Sequence, residues 1–206
     1  MGLDRKTFLP DFVESIKNVD VSKIDMIELG YQEINQGDDP YGKKFRPMRF
    51  RDLYANKFKT WRTLDLCRGN GVELFDLSLL TNEKDCADMI TNYGTTEHVE
   101  KEEGQYNCWV NIHNMLRVRG LIIHALPLAG KWEGHCRWYY TPEFFSSFEE
   151  YGYKIQKLEL TWHDLVFCKM VKISNTSFMD YSKFMSVVTF AGAMRIPKGH
   201  NPKNIT

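Results

Sequence analysis

Runs of strand length and pattern recur along this chain, helix-patterned segments precede most of them, and the last two follow one another directly. The runs occupy residues 24–29, 61–66, 87–94, 121–127, 153–162 and 164–173. Helical spacing lies between them or ahead of them: Phe8, Leu9, Phe12, Val13 and Ile16 in 5–18, Phe50, Leu53, Tyr54 and Phe58 in 48–58, and Trp109, Ile112, Met115 and Leu116 in 106–118. The segment 141–152 carries Thr141 as N-cap, Pro142 at the first helical position, Glu143 behind it and Gly152 at its end. Parallel strands need a crossover between them, whereas adjacent strands can pair as a hairpin. The pattern therefore predicts a three-layer α/β/α fold, with a mostly parallel sheet covered on both faces and a C-terminal antiparallel hairpin near its edge. A ligand of such a sheet is expected at the carboxyl ends of the strands, near the switch point. The segment 184–194 fits either an edge strand or a short helix.

Gly69-Asn70-Gly71, after the run ending in Asp65, has the look of a phosphate-cradling turn, but spacing rules that role out. Such a turn must launch a helix whose N-terminus faces the ligand, and the residues after Gly71 have no helical pattern. Only 23 residues separate Asp65 from Asp88, too few for two further β-α units of roughly thirty residues each. If the opening strand is instead 24–29, ended by Gly30, the spacing fits and 61–66 becomes the second strand. An acidic residue there, Asp65, is where this kind of fold accepts hydrogen bonds from ribose hydroxyls. Asp76 then follows the third strand, where it could meet an adenine amino group. Ordinary turn or capping use of both aspartates is the competing explanation.

At 206 residues the chain is the size of one domain, expected over 1–206, with an N-terminal helix in 1–20, a core in 24–175 and an extension in 176–206. Its 27 basic and 27 acidic residues cancel, which disfavours nucleic acid and anionic membrane as partners. The basic run Lys43, Lys44, Arg46, Arg49 and Arg51 reads as a solvated loop and helix start. No apolar run is long enough to span a bilayer, and the first residues lack the pattern of a signal peptide or a myristoylation site. Five singly scattered cysteines, Cys67, Cys86, Cys108, Cys136 and Cys168, read as buried free thiols. A cytoplasmic, soluble protein is the expectation.

The residues around these strands carry a resemblance. Glu28-Leu29-Gly30 with Gln32, the block Asn92-Tyr93-Gly94-Thr95-Thr96-Glu97-His98, Gln105, Asn111-Ile112-His113, Gly120 through Pro127, and the segment 130–145 are similar to a subgroup of the class I S-adenosylmethionine-dependent methyltransferases. In that subgroup an ELG-x-Q turn replaces the usual glycine-rich loop. The resemblance covers roughly residues 24–160, and the TTEH block is its most specific part. This chain lacks the G-x-G of the common first turn and has Val118-Arg119-Gly120 where a Gly pair is commoner.

The resemblance implies a Rossmann-like methyltransferase fold, S-adenosylmethionine as cofactor, and a small molecule or glycan precursor as acceptor. It implies cofactor contacts from Glu28, Gly30 and Gln32 at the methionine end, Asp65 at the ribose, Asp76 at the adenine, and Asn92 and Gly94 after the fourth strand. Thr95, Thr96 and His135 would face the acceptor. His98 would serve as base, since imidazole titrates near neutrality, with Glu97 orienting it or binding substrate. Thr95 and His98 are also spaced like a helix cap and its third residue. His113 and His124, inside apolar patterns, read as structural, and Trp132, Trp138, Tyr139 and Tyr140 as packing or as a pocket wall. No ligand pair has metal-site spacing, so no metal is expected; His98, His124, His135 and a cysteine are the set a zinc site would draw on. Two alternatives stand beside the enzyme: a catalytically degenerate binding or scaffold module, favoured by the reduced first turn, and a nicotinamide-dependent oxidoreductase, which would need the G-x-G-x-x-G absent here.

Overall fold

The strands of the main sheet are β1 (Asp25–Leu29), β2 (Thr60–Asp65), β3 (Val72–Leu74), β4 (Ala87–Tyr93), β5 (Leu116–Pro127), β6 (Tyr153–Leu160) and β7 (Leu165–Lys172). They belong to a computed structural model that describes residues 3–4, 8–35 and 48–190. Across the sheet the order is β3-β2-β1-β4-β5-β7-β6. The first five are parallel, and β7 runs antiparallel between β5 and β6. The chain thus steps outward from β1 to β3, returns to β4 and steps outward the other way. The switch point lies between β1 and β4, where a crevice opens at the carboxyl ends.

Among the described residues five α-helices cover the sheet: α1 (Phe8–Ile16), α2 (Phe50–Tyr54), α3 (Glu102–Met115), α4 (Pro142–Ser146) and α5 (Tyr181–Val187). On one face Phe8, Phe12, Phe50 and Phe58 pack against Met26, Met89, Ile123 and Phe167. On the other, Trp109, Ile112, Met115, Phe144, Phe145 and Phe184 pack against Ile27, Leu29, Ile90 and Ile122. β1 is covered from both sides, with all five of its residues buried, the carboxylates Asp25 and Glu28 included. The hairpin, the Thr141 cap (which accepts from the Phe144 amide) and left-handed Gly152 at the end of 142–151 all follow the sequence pattern.

Two connections depart from it, and a third follows it. The helix expected over 48–58 is only one turn long, α2, continued by a 3-10 turn over Ala55–Lys57. Phe50, Tyr54 and Phe58 still reach Phe12, so the apolar stripe survives the tightened hydrogen bonding. The helix read as 106–118 starts earlier and stops at Met115, where β5 begins without a loop. The buried Lys172 ammonium donates to the His113 and Leu116 carbonyls there, satisfying the helix end that favours a cation. Between β2 and β3 a six-residue turn stands where the sequence has no helical pattern, as expected. A Cβ on Gly69 would lie 2.7 Å from the Tyr31 ring and one on Gly71 (φ +68°) would strike the Arg51 guanidinium. The glycine pair makes room for the protein's own side chains.

Two small sheets flank the main one: Leu3–Asp4 with Glu33–Asn35 and Met48–Arg49, and Trp138–Tyr139 with Thr189–Phe190. The segment 184–194 therefore holds both helix and strand, and its residues beyond 190 lie outside the described ones, as do Lys43, Lys44 and Arg46. Cys108, Cys136 and Cys168 are buried, whereas Cys67 is exposed in the β2–β3 turn. Among the described residues no helix is long and apolar enough to cross a membrane.

Candidate functional site

A cleft of about 830 Å³ lies at the carboxyl ends of β1, β2 and β4. Gly30, Gln32, Asp65, Asp76, Gly94, Thr95 and His98 line it. The structure thus brings together seven of the twelve residues singled out in the sequence. Glu28, Asn92, Thr96 and Glu97 lie buried behind its wall, and His135 is at the surface beside His98.

The β1 turn is held from several sides. Gly30 has φ +78°, and a Cβ there would lie 2.3 Å from Thr95 Oγ1 and 2.6 Å from Gln32 Nε2. Thr95 Oγ1 donates to the Leu29 carbonyl (2.8 Å), and Gln32 Nε2 donates to Leu29 O and Thr95 Oγ1. Gln32 Oε1 is buried and has no donor among the described residues. Glu28, one residue before Leu29, points to the opposite face of the sheet by strand alternation. There its carboxylate accepts from Gln32 N, Trp61 Nε1 and Thr63 Oγ1. Burial raises it to about 7 against the pull of those donors. Its place is beneath the turn rather than on the cleft wall, and the turn's amide is what it holds. Arg49, which stacks on Tyr31 and donates to its carbonyl, and Arg51, which donates to Thr63 Oγ1 and Gly71 O, spend their charge on the same corner.

Opposite the turn, Asp65 accepts the Tyr31 amide on Oδ2 and the Cys67 amide on Oδ1, both at 2.8 Å. Each carboxylate oxygen keeps a second lone-pair direction for a ligand. Asp76 Oδ1 accepts from Ser78 N and Oγ, an Asx turn of the kind the sequence left open for it. Leu66 and Leu79 line the same end while 70% and 63% exposed, so the cleft offers a flat ring an apolar surface between the two aspartates.

Behind the third wall lies a buried polar network. Asn92 Nδ2 donates to Thr96 Oγ1 (3.0 Å) and meets His124 Nδ1 at 3.1 Å, and Thr96 Oγ1 lies 3.1 Å from Tyr140 OH. With its amide turned to suit its neighbours, Gln105 donates to Thr96 O and accepts from Tyr140 OH and Trp109 Nε1. Thr96–His98 form a 3-10 turn, and Thr95 caps nothing because its hydroxyl is bound to Leu29 O. His124 packs on Trp109 and Phe145, and His113 bonds Tyr153 OH and Thr176 O; both are structural. Trp138, Tyr139 and Tyr140 are fully buried core.

At the end of that loop Glu97 is fully buried, and neither carboxylate oxygen has a hydrogen-bond partner among the described residues. Burial raises its carboxyl to about 8. His98 Nε2 lies 3.6 Å from Glu97 Oε1, and the His98 and His135 rings are 5.2 Å apart. Burial and the neighbouring His135 lower the His98 imidazole to about 4, below the near-neutral value expected of a base, so at pH 7 it is neutral and only weakly basic.

Tyr31, Phe75, Ser78, Gly104 and Asn107 also line the cleft and were not anticipated. Gly104 lies ahead of the helical pattern read over 106–118 and is inside α3 only in the structure, where a Cβ on it would lie 2.9 Å from Ser78 in the loop after β3. The others are ordinary in sequence and are recruited by tertiary contact alone.

Comparison with known proteins gives the fold a context. No protein-family model and no curated protein matches the sequence. Solved structures do match in shape. The N-methyltransferase NodS from Bradyrhizobium japonicum WM9, in complex with S-adenosyl-L-homocysteine, aligns with 82% of this chain and 89% of its own, at 12% identity and a TM-score of 0.52. Phosphoethanolamine N-methyltransferase 1 from Haemonchus contortus, in complex with phosphoethanolamine and S-adenosylhomocysteine, aligns with 88% of this chain and 47% of its own, at 10% identity and a TM-score of 0.54. The YcgJ protein from Bacillus subtilis aligns with 81% of this chain and 98% of its own, at 10% identity and 0.53. At these identities the likeness is one of fold: a Rossmann-like methyltransferase fold.

Proposed function

We propose that the cleft binds S-adenosylmethionine and that the chain transfers its methyl group to a small molecule or glycan precursor. The observation that carries this reading is the position of the cleft. It opens at the switch point of a β3-β2-β1-β4-β5-β7-β6 sheet, with Gly30, Asp65, Asp76 and Gly94 on its walls. The residues present fit the cofactor. Gln32 Oε1 is a buried acceptor without a donor, beside the turn where an ammonium would lie. Asp65 keeps lone pairs for ribose hydroxyls, Asp76 keeps Oδ2 for an adenine amino group, and Leu66 and Leu79 offer an apolar surface. Glu28, Asn92 and Thr96 act behind the wall, holding the turns that present Gly30 and Gly94.

Bound there, S-adenosylmethionine supplies an electrophilic methyl on a sulfonium. The chain's part is to align the acceptor with it and to accept a proton. Thr95 and His98 face the cleft, with Glu97 and His135 beside them, so the acceptor's place is at this end. His98, neutral at pH 7, takes the proton. The fold neighbour solved in complex with phosphoethanolamine and S-adenosylhomocysteine agrees with this reading.

A second reading, a non-catalytic binding module, draws on one observation: Thr95 and Gln32 fill the space over Gly30 that an open glycine loop would leave to the ligand. Calorimetry and thermal shift with S-adenosylmethionine, S-adenosylhomocysteine and NAD separate the two. Saturable binding of the first two, weakened about tenfold or more by Asp65→Ala, is expected, corresponding to the loss of roughly 1.4 kcal/mol or more of charged hydrogen bonding. No binding of any of the three leaves the module reading standing alone.

A further inference from the structure

We infer that Glu97, His98 and His135 form a binding site for a divalent transition-metal ion at the acceptor end of the cleft. Their ligand atoms, one carboxylate oxygen and two imidazole nitrogens, lie within 4.8 Å of one another. The set is built from distant parts of the chain. Glu97 and His98 come from the 3-10 turn after β4, and His135 comes from the loop before Trp138–Tyr139. The Arg137 amide donates to the Glu97 carbonyl (3.0 Å) and pins the two loops together.

The independent sign of a ligand is the Glu97 carboxylate. It is fully buried, aimed at the two imidazoles, and unpartnered at both oxygens among the described residues. An isolated buried carboxylate is among the costliest groups a fold can hold. Protonation does not resolve it, because the O–H and the C=O would both still lack partners. His98 does not resolve it either, since 3.6 Å is beyond hydrogen-bond reach. A cation would. Two imidazoles and one carboxylate are the ligand set of zinc sites that keep open positions for water or substrate, and of non-haem iron centres. Hard magnesium prefers oxygen ligands and its own waters. Metal–ligand bonds of about 2.0–2.2 Å draw ligand atoms to roughly 3–3.5 Å apart. Reaching that spacing requires the exposed His98 and His135 side chains to move toward the buried Glu97.

Of the three ligands His98 also lines the cleft, so an ion held by them would lie at the cleft's edge. An acceptor carrying a hydroxyl or carboxylate oxygen would coordinate there, and His98 would then act as a ligand rather than as a free base. That clause rests on the methyltransferase reading; metal binding itself does not.

The test uses the full chain stripped with EDTA, titrated with Zn2+ by calorimetry and with Co2+ by visible absorption. One ion per chain is expected, with d–d bands of a low-coordinate Co2+ site, a raised unfolding midpoint with Zn2+, and no competition from equimolar Mg2+. Glu97→Gln, His98→Ala and His135→Ala should each weaken Zn2+ by about tenfold or more. Cys67→Ser, which removes the exposed thiol, should not. Should Glu97→Gln fail to fold, His135→Ala decides, because that side chain is at the surface. Absence of saturable Zn2+ and Co2+ uptake by a chain with a native circular dichroism spectrum overturns the inference, as does uptake that survives His135→Ala. S-adenosylhomocysteine is titrated separately. Metal without nucleoside binding keeps this site and removes the methyltransferase reading, and the converse removes only the site.

Discussion

Gly30 shows at the residue scale how little freedom the site has. Its φ of +78° and the 2.3 Å approach of Thr95 Oγ1 to a hypothetical Cβ leave no room for any side chain. Gly30→Ala is expected to destabilise the protein by about 2 kcal/mol or more, from left-handed strain plus displacement of Thr95. A urea unfolding midpoint measures it, and an unchanged midpoint would mean the turn relaxes freely. Sequence reasoning reached Gly30 through spacing. It did not reach the reason, because Thr95 lies 65 residues away and only folding brings it there. Glu28 teaches the converse. A carboxylate next to a glycine turn reads as ligand-facing, yet strand alternation turns it away, and three internal donors claim it.

At the scale of elements, α3 ties the cleft to the core. Asn111 Nδ2 donates to the Leu77 and Leu79 carbonyls, and its Oδ1 accepts the Thr81 amide. One side chain thus holds the loop after β3, which carries Asp76, Ser78 and Leu79 on the cleft wall. Asn111→Ala should cost about 1–3 kcal/mol, since it leaves a loop's polar groups without partners. Its distinguishing effect should be local: amide exchange at 77–81 accelerates well beyond that of β1 and β4, as hydrogen-exchange mass spectrometry would reveal. Uniform acceleration across the chain would mean that Asn111 serves global stability only. The motif Asn111-Ile112-His113 is therefore a brace, with Ile112 in the core and His113 on Tyr153 and Thr176.

For the molecule as a whole, a charge cluster closes the end of the sheet opposite the cleft. Asp25 accepts from Arg117, Lys59 and Thr60, and Arg117 also reaches Asp88, so β1, β2, β4 and β5 are joined through two carboxylates. Burial alone would raise Asp25, but the bonds from Arg117, Lys59 and Thr60 outweigh it and hold the group at about 2, against an ordinary 3.8. A depressed folded value means that the unfolded chain binds the proton first. The stability is therefore fully present above pH 4 and is lost as pH falls toward 2. The loss should amount to about 2 kcal/mol. Arg117→Met should flatten that acid limb in unfolding midpoints taken between pH 5 and pH 2; an unaltered limb would place the acid sensitivity elsewhere.

The order of strands and helices, the closing hairpin, the Thr141–Gly152 helix and the location of the cleft at Gly30 and Asp65 were all determined by sequence alone. Those features rest on periodicity, caps and chain length, which are local properties that neighbours in sequence impose. The shortening of α2 and the early end of α3 were decided elsewhere, the latter by Lys172 on the α3 carbonyls. Which polar groups face the cleft, and which support it from behind, was likewise settled by tertiary packing. Glu97, His98 and His135 have no metal-site spacing along the chain, and their meeting depends on two loops laid side by side at the end of a parallel sheet. Burial and proximity between distant segments are properties of the folded chain, so the chemistry at this end of the cleft became readable only in three dimensions.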